Sequence, residues 1–379
     1  MRVMEIIREA EGGMKTHFLS LVKGLSGQGI EVIALCNFDI KSKKLLKEAG
    51  VRVISFSFPG TIKPFSDCTA AIRIATLIRK TRPDIVHCHG FKAGLLGRIA
   101  GQITGISMVY TVHNFVAYGR GEYSIRLIRY LEGCISRKAD AIICVSEALK
   151  KNMVEEMGMD DKRLSVIYNS IPDLPPGDRK ATRQKHNIDD TDILIGTAAR
   201  LIPSKGIDIL LKAASGILAV HPHVRLLIAG SGPEEKKLKE LVQTMGIGAR
   251  VVFTGRVSDM ENYYSAFDIF VLPTLSEGLG ITVLEAMSFG LPVVATKTGG
   301  IPEWVVHRKN GLLVQPGNVM ELRTALQFML DNPAKAVQYG CNAKADIKKG
   351  LTQHKMIEET VSVLKCIYNK KKTDITGGK

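Results

Sequence analysis

Short runs of β-branched and aliphatic residues alternate with amphipathic stretches along most of this chain. That alternation restricts the fold more than any other feature. The runs cover residues 2–7, 31–36, 51–56, 84–89, 108–113, 141–145 and 165–168 in the first half, then 193–198, 224–229, 251–253, 269–272, 293–295 and 311–314. Helical periodicity lies between them, as at 17–25 and 70–79. Regular strand–helix alternation predicts parallel sheets with helices on both faces. One interruption stands out. Ile171-Pro172-Asp173-Leu174-Pro175-Pro176-Gly177-Asp178 holds three prolines and a glycine in eight residues, which suits a linker better than an element.

The break falls near the middle of 379 residues, a length that favours two domains over one. The expected architecture is α/β, with two doubly wound Rossmann-like domains of similar size facing across a cleft. The boundaries read as 1–172 for an acceptor-side first domain, 173–190 for the linker and 191–352 for the second domain. Residues 353–369 form a last amphipathic helix, and 370–379, with Lys370-Lys371-Lys372, a basic solvated tail. In such sheets ligands bind beyond the carboxyl ends of the strands, so the loops that follow strands carry the chemistry.

The formal charge of +15 is compatible with nucleic acid, an anionic membrane surface or a phosphorylated substrate as partner. Aromatic residues are only 6%, without the basic–aromatic interleaving of single-strand binders, so nucleic acid is not expected. No apolar run approaches a membrane span. The N-terminus reads as a first strand rather than a signal peptide. Cysteines at 36, 68, 88, 134, 144, 341 and 366 lack C-x-x-C spacing. They read as buried free thiols of a reducing cytoplasm.

The motif richest in chemistry is Glu277-Gly278-Leu279-Gly280-Ile281-Thr282-Val283-Leu284-Glu285, two carboxylates eight positions apart around a glycine pair. It reads as a loop entering a helix N-terminus, where unpaired N–H groups favour an anion. Carboxylates beside such a site suit a ligand bearing both phosphate and hydroxyls, such as a sugar nucleotide. Arg200-Leu201-Ile202-Pro203-Ser204-Lys205-Gly206 follows the strand at 193–198 and offers two cations for a pyrophosphate. Gly12-Gly13 follows the first strand and would let a backbone approach a phosphate; a mere tight turn is the alternative.

Gly230-Ser231-Gly232-Pro233 and Thr298-Gly299-Gly300-Ile301-Pro302-Glu303 also end strands. Each could touch a ligand or only shape the site. His87-Cys88-His89 and His113 end two strands of the first half. His87 and His89 share one strand face while Cys88 points away, and no second spaced pair of ligands is visible, so no metal is expected there. His113 reads as a hydrogen-bonding residue of the cleft. Asp190-Thr191-Asp192 has the D-x-D form that holds a divalent ion in many nucleotide-sugar enzymes. It precedes its strand, however, and reads as an amino-edge turn.

Taken in order, Gly12-Gly13, His113, Arg200…Lys205-Gly206, Gly230-Ser231-Gly232-Pro233 and the Glu277…Glu285 pair make the chain resemble the retaining glycosyltransferases of family 4, with the two-domain GT-B fold. The resemblance spans nearly the whole chain. It implies that Glu285 holds the donor ribose and that Glu277 attends the transferred sugar. It implies diphosphate contacts from Arg200 and Lys205, and a phosphate contact from the Gly13 backbone. Gly278, Leu279, Gly280 and Ile281 would bring their backbone to the sugar and diphosphate. His113 would lie near the sugar, and Arg256 and Val257 near the base. The last helix would return across the first domain.

The implied activity is metal-independent, retaining transfer of a sugar from a nucleoside diphosphate, UDP rather than GDP, to a hydroxyl acceptor. That acceptor would be a glycan or lipid-linked intermediate of cell-surface polysaccharide synthesis. No cofactor is expected. Ile125, Leu127, Ile128, Tyr130, Leu131 and Ile135 alternate with Arg126, Arg129, Arg137 and Lys138. That stretch suggests a cytoplasmic protein docking on anionic lipid at the inner membrane face, or else an ordinary surface helix. Two other classes stay open: a nucleotide-sugar-binding regulatory subunit, and another GT-B enzyme such as an epimerase or a phosphorylase.

Overall fold

The computed structural model describes residues 1–115, 122–171 and 173–376. Pro172 of the proline-rich break and the end of the tail, 377–379, lie outside the described residues. The chain divides into two compact units, Met1–Ser170 with Leu351–Lys379, and Ile171–Gly350.

The first unit runs β1 (Arg2–Ile7), α1 (Gly13–Gly27), β2 (Glu31–Cys36), α2 (Ile40–Glu48), β3 (Arg52–Ser55), α3 (Pro64–Thr81), β4 (Ile85–His89), α4 (Gly90–Thr104), β5 (Ser107–Val112), α5 (Glu122–Lys138), β6 (Ala141–Cys144), α6 (Glu147–Glu155) and β7 (Leu164–Val166). Its seven strands are ordered β3-β2-β1-β4-β5-β6-β7, and every pairing is parallel.

The second unit runs α7 (Arg179–Lys185), β8 (Ile193–Ala198), α8 (Ile207–Val220), β9 (Val224–Ala229), α9 (Glu235–Thr244), β10 (Val251–Gly255), α10 (Met260–Ala266), β11 (Ile269–Leu272), α11 (Ile281–Ser288), β12 (Val293–Thr296), β13 (Leu312–Val314), α12 (Val319–Asp331) and α13 (Pro333–Gly350). Its six parallel strands are ordered β10-β9-β8-β11-β12-β13. The final helix, α14 (Gln353–Thr376), belongs to the first unit.

The strands fall where the alternation puts them, with ends that differ by a residue or two. Both faces of the central strands are covered, so β4 and β11 are buried at every position. In the first unit Phe18, Leu21 and Leu25 of α1 join Val3, Ile7 and Val32 of the sheet, with Ile357 and Leu364 of α14, in one core. Full burial of each such aliphatic side chain contributes about 1.5–3 kcal/mol. In the second, Leu210, Leu211 and Ile217 of α8 pack with Leu226, Ile228 and Val271.

Three expectations need correction. The segment 173–190 is more than a linker: it contains α7, capped by Asp178, whose side chain accepts from Ala181 N. It is fastened within the second unit. Gly177 N donates to Ser265 Oγ at 2.8 Å and Asp178 N to Asn262 Oδ1 at 2.8 Å. Arg183 is wholly buried and holds Asp268 Oδ2 at 2.6 Å and the Asp189 carbonyl at 2.7 Å. The prolines end elements locally without making the chain independent of its neighbours.

The basic tail is also shorter than expected, since α14 continues helically through Lys370-Lys371-Lys372 to Thr376. Lysine has good helix propensity and does not stop a helix already nucleated by packing. Of the seven free cysteines, Cys36, Cys88 and Cys144 are buried, but Cys68, Cys341 and Cys366 are exposed on the outer faces of α3, α13 and α14. No helix among the described residues is long and apolar enough to cross a membrane. On α5, Ile128 and Ile135 are buried, which turns one stripe of the helix into the unit, while Leu127 and Tyr130 are exposed.

Candidate active site

In a doubly wound sheet the strand order reverses beside the first strand, and the crevice there receives ligands at the carboxyl ends. In the second unit the reversal lies between β8 and β11. The loops after these two strands are 199–206 and 273–280, and they carry Arg200, Lys205 and Glu277. They are tied together. Leu275 N donates to the Ser204 carbonyl at 2.7 Å and Thr274 Oγ1 to the same oxygen at 2.9 Å. Lys205 Nζ donates directly to Glu277 Oε2 in an ion pair whose side chains are 17% and 13% exposed. The sequence placed these two residues in one site but did not suggest that they hold each other. An ammonium has three donors, so Lys205 can grip Glu277 and still offer N–H groups to an anion. Arg200 lies exposed at the entrance of its loop.

Glu277 leads into α11 through Gly278, Leu279 and Gly280, all buried. Gly280 caps the helix at φ 87°, a left-handed conformation that costs other residues free energy. A Cβ there would also lie 2.8 Å from Ile301 Cγ1. Gly300 N donates to the Gly278 carbonyl at 3.0 Å. The Thr298–Glu303 motif therefore braces the Glu277 loop. Val283 N and Leu284 N donate to the Gly280 carbonyl at 2.9 and 3.2 Å, so the amides that a helix start leaves open are those of Ile281 and Thr282.

Glu285 sits on α11 one turn past Ile281. Tyr264 Oη of α10 donates to its Oε2 at 2.7 Å. Tyr264 is fully buried among Phe267, Phe270 and Phe289. Burial pushes the Glu285 carboxyl up to about 7, against the lowering effect of the Tyr264 hydrogen bond. The Tyr264 hydroxyl is itself raised, by burial and then by Glu285. Sequence reasoning missed Tyr264. A tyrosine in an otherwise ordinary amphipathic helix carries no signal of its partner 21 positions away.

Further along the same edge, Leu201 N donates to the Ser231 carbonyl and Glu234 N to the Leu201 carbonyl, both at 3.0 Å. The Gly230–Pro233 motif is thus a brace for the Arg200 loop. Pro233 and Glu234 form a turn, and α9 starts only at Glu235. Gly230 N donates to the Gly255 carbonyl at 2.9 Å. That bond brings exposed Arg256 and half-buried Val257 beside this loop. Asp190-Thr191-Asp192 is a turn at the amino edge. Asp192 Oδ2 is occupied there by Arg225 Nε at 3.0 Å and Asp189 N at 3.2 Å.

In the first unit the reversal lies between β1 and β4. Gly12, at φ 61°, precedes half-buried Gly13 at the start of α1. Behind this turn lies a buried polar cluster. Register sets Glu5 beside His87 and Ile7 beside His89. Glu5 meets His87 Nδ1 at 3.0–3.1 Å and His89 Nε2 at 2.7 Å. His89 Nδ1 lies 3.3 Å from His113 Nε2, and His17 of α1 stands edge-on to His113 at 5.0 Å.

Burial alone would raise the Glu5 carboxyl, but the charge and hydrogen bonds of His87 and the hydrogen bond from His89 bring it down to about 2. Burial and the neighbouring imidazoles lower His89 to about 4, and depress His17 and His113 as well. The ligating atoms of His17, His89 and His113 lie within 4.8 Å of one another, a grouping that the sequence did not indicate. Glu5 and His17 were not singled out from sequence. The available signal was a lone carboxylate inside an apolar strand buried on both faces.

Two sequence profiles match the chain, Glycosyltransferase Family 4 over residues 11–173 and Glycosyl transferases group 1 over residues 178–346. An uncharacterized glycosyltransferase of Methanocaldococcus jannaschii is 28% identical, covering 93% of this chain and 94% of that protein. The Escherichia coli UDP-Gal:alpha-D-GlcNAc-diphosphoundecaprenol alpha-1,3-galactosyltransferase is 29% identical, covering 83% of this chain and 86% of that one. The crystal structure of Anabaena HepE in complex with UDP-glucose superposes with a TM-score of 0.83 at 23% identity, covering 97% of this chain and 100% of that one.

Proposed function

The chain belongs to the family 4 glycosyltransferases of GT-B fold, and from that premise we propose that it transfers a sugar from a UDP-linked donor to a hydroxyl of a lipid-linked glycan, with retention of anomeric configuration. The observation that carries this reading is the Lys205–Glu277 pair at the loops after β8 and β11, with Glu285 eight residues further into α11. Departure of the diphosphate is the costly event. Lys205, Arg200 and the amides that open α11 supply positive potential where that charge develops. Glu277 would favour cationic character at the sugar carbon. Glu285 would accept from the ribose hydroxyls, and the Arg256–Val257 backbone would meet the base. Gly13 would bring a backbone N–H to the phosphate.

Metal independence follows the same residues. The D-x-D turn is engaged with Arg225 at the wrong sheet edge, and protein cations stand at the right one. The lipid-linked acceptor draws support from the name of the E. coli relative. It also draws support from exposed Leu127 and Tyr130 beside Arg126, Arg129, Arg137 and Lys138 on α5, a surface suited to anionic lipid.

The test is a thermal-shift panel of nucleotide sugars. A donor at about 100 times its Kd adds about 2.7 kcal/mol of stability. UDP-linked sugars are expected to raise Tm more than GDP-linked ones, and the reverse order would overturn the donor base. The best donor is then assayed with a polyprenyl-diphosphate glycan in vesicles with and without anionic lipid. An inverted product anomer, or indifference to the lipid, would remove retention or membrane docking from the reading.

Donor binding should depend on pH through Glu285. The ionised carboxylate accepts from two hydroxyls, whereas the protonated acid has lost an acceptor. Its pKa near 7 puts the binding-competent form above that pH. Donor Kd is therefore expected to rise as pH falls through about 7. Glu285→Gln should bind more weakly and with a flat profile in titration calorimetry. A wild-type Kd constant across this range would refute the assignment.

A further inference from the structure

Glu5, His89 and His113 form an unbroken line of hydrogen bonds in the interior of the first unit, and all three are nearly or fully buried. The proton positions along that line follow from its start. An ionised carboxylate only accepts. Glu5 Oε2, at 2.7 Å, must therefore receive a proton-bearing Nε2 from His89. The depressed titration of Glu5 supports the ionised form. A neutral His89 protonated at Nε2 has a bare Nδ1. That Nδ1 faces His113 Nε2 at 3.3 Å, so His113 Nε2 must be the donor. A neutral His113 then carries no proton on Nδ1. His87 Nδ1 spans both carboxylate oxygens, 3.1 Å from Oε1 and 3.0 Å from Oε2, and its Nε2 lies 2.7 Å from Thr111 Oγ1.

We infer that Glu5 and His89 act as positioning residues that fix His113 as its Nε2-protonated tautomer, so that His113 offers Nδ1 as an acceptor to a substrate hydroxyl rather than an N–H to a phosphate. This rests on the reading of His113 as a residue that meets substrate. His17, only 5% exposed and with no hydrogen-bond partner among the described residues at either nitrogen, stands edge-on to His113 and restrains rotation of its ring. Among the described residues, the titratable groups facing His113 are His17 from α1, Glu5 from β1, and His87 and His89 from β4. Burial holds His17, His89 and His113 toward the neutral form. A proton added at His89 Nδ1 would set two N–H groups against each other and break the line.

The experiment uses the full chain labelled with ¹⁵N-histidine. Nitrogen–proton correlation spectra are expected to show Nε2–H tautomers for His89 and His113, unchanged between about pH 6 and 8. An Nδ1–H tautomer at His113 would overturn the relay. So would stoichiometric Zn(II) binding that shifts the nitrogens of His17, His89 and His113, because those atoms would then be metal ligands. Glu5→Gln removes the charge that sets the order. It should mix the His113 tautomers and lower kcat tenfold or more while donor KM changes less than twofold. Wild-type kcat with an unmixed tautomer would also overturn the relay. Should Glu5→Gln fail to fold, the wild-type spectra decide alone. His113→Ala tests the underlying reading separately. Full activity in that variant dismisses His113 as a substrate contact, whatever its tautomer.

Discussion

Glu277→Gln is expected to lower turnover by about 10²–10³-fold, the scale set by removing one preorganised electrostatic contact at a reacting centre. The substitution keeps the side chain's shape, removes its charge and exchanges one acceptor oxygen for an NH2 donor. Lys205, relieved of its ion partner, remains in the loop after β8 and can turn fully to the diphosphate. Donor affinity should therefore hold or tighten while kcat falls. Lys205→Ala should behave differently. It removes the proposed phosphate contact and also leaves Glu277, 13% exposed, without its cation. Both donor Kd and kcat should worsen, the former by about tenfold for one charge-assisted contact. Calorimetry for the donor, single-turnover rates and a melting curve for each variant separate these effects. Wild-type turnover in Glu277→Gln would end its catalytic assignment.

The second large effect concerns stability. Arg183→Ala should cost about 3–5 kcal/mol, the range for breaking a buried charge pair by removing one partner. Arg183 is 0% exposed. It ties α7 to the Ala266, Asp189 and Asp192 carbonyls and to Asp268. Asp268 in turn accepts from Leu194 N at 2.7 Å, at the start of β8. The truncation strips the Asp192 carbonyl and one Asp268 interaction of their donor, while Arg179 still serves the Ala266 carbonyl at 2.9 Å and Asp192 N the Asp189 carbonyl at 3.1 Å, and it opens a cavity. For a unit of this size the loss corresponds to a fall in Tm of about 10 °C. Urea unfolding followed by circular dichroism measures it. A change below about 1 kcal/mol would show that α7 is indeed only a connector.

The two variants mark the limits of what the amino-acid order discloses. The loop residues of the candidate site were legible because their type and place are both forced. A strand must end, a glycine must follow where φ turns positive at Gly280, and cations must collect where an anion is held. Arg183 was not legible. An arginine in a polar, proline-flanked stretch looks like a solvated linker residue, and only its partners at 266 and 268 make it a buried anchor. Tyr264 and Glu5 were hidden for the same reason. Each is an ordinary residue in an ordinary element until a distant segment arrives beside it.

By itself the sequence determined the alternation of strands and helices, the presence of two parallel sheets and the loops that carry Arg200, Lys205, Glu277 and Glu285. Those features depend on local periodicity and on backbone chemistry within a few residues. Tertiary structure alone decided the strand order that sets β8 beside β11 and β1 beside β4. From that order come the direct Lys205–Glu277 pair, the Tyr264–Glu285 bond and the buried line from Glu5 to His113. Such contacts join residues up to 84 positions apart. Their geometry is set by which strands pair and in what register, and no local pattern of residues encodes that choice.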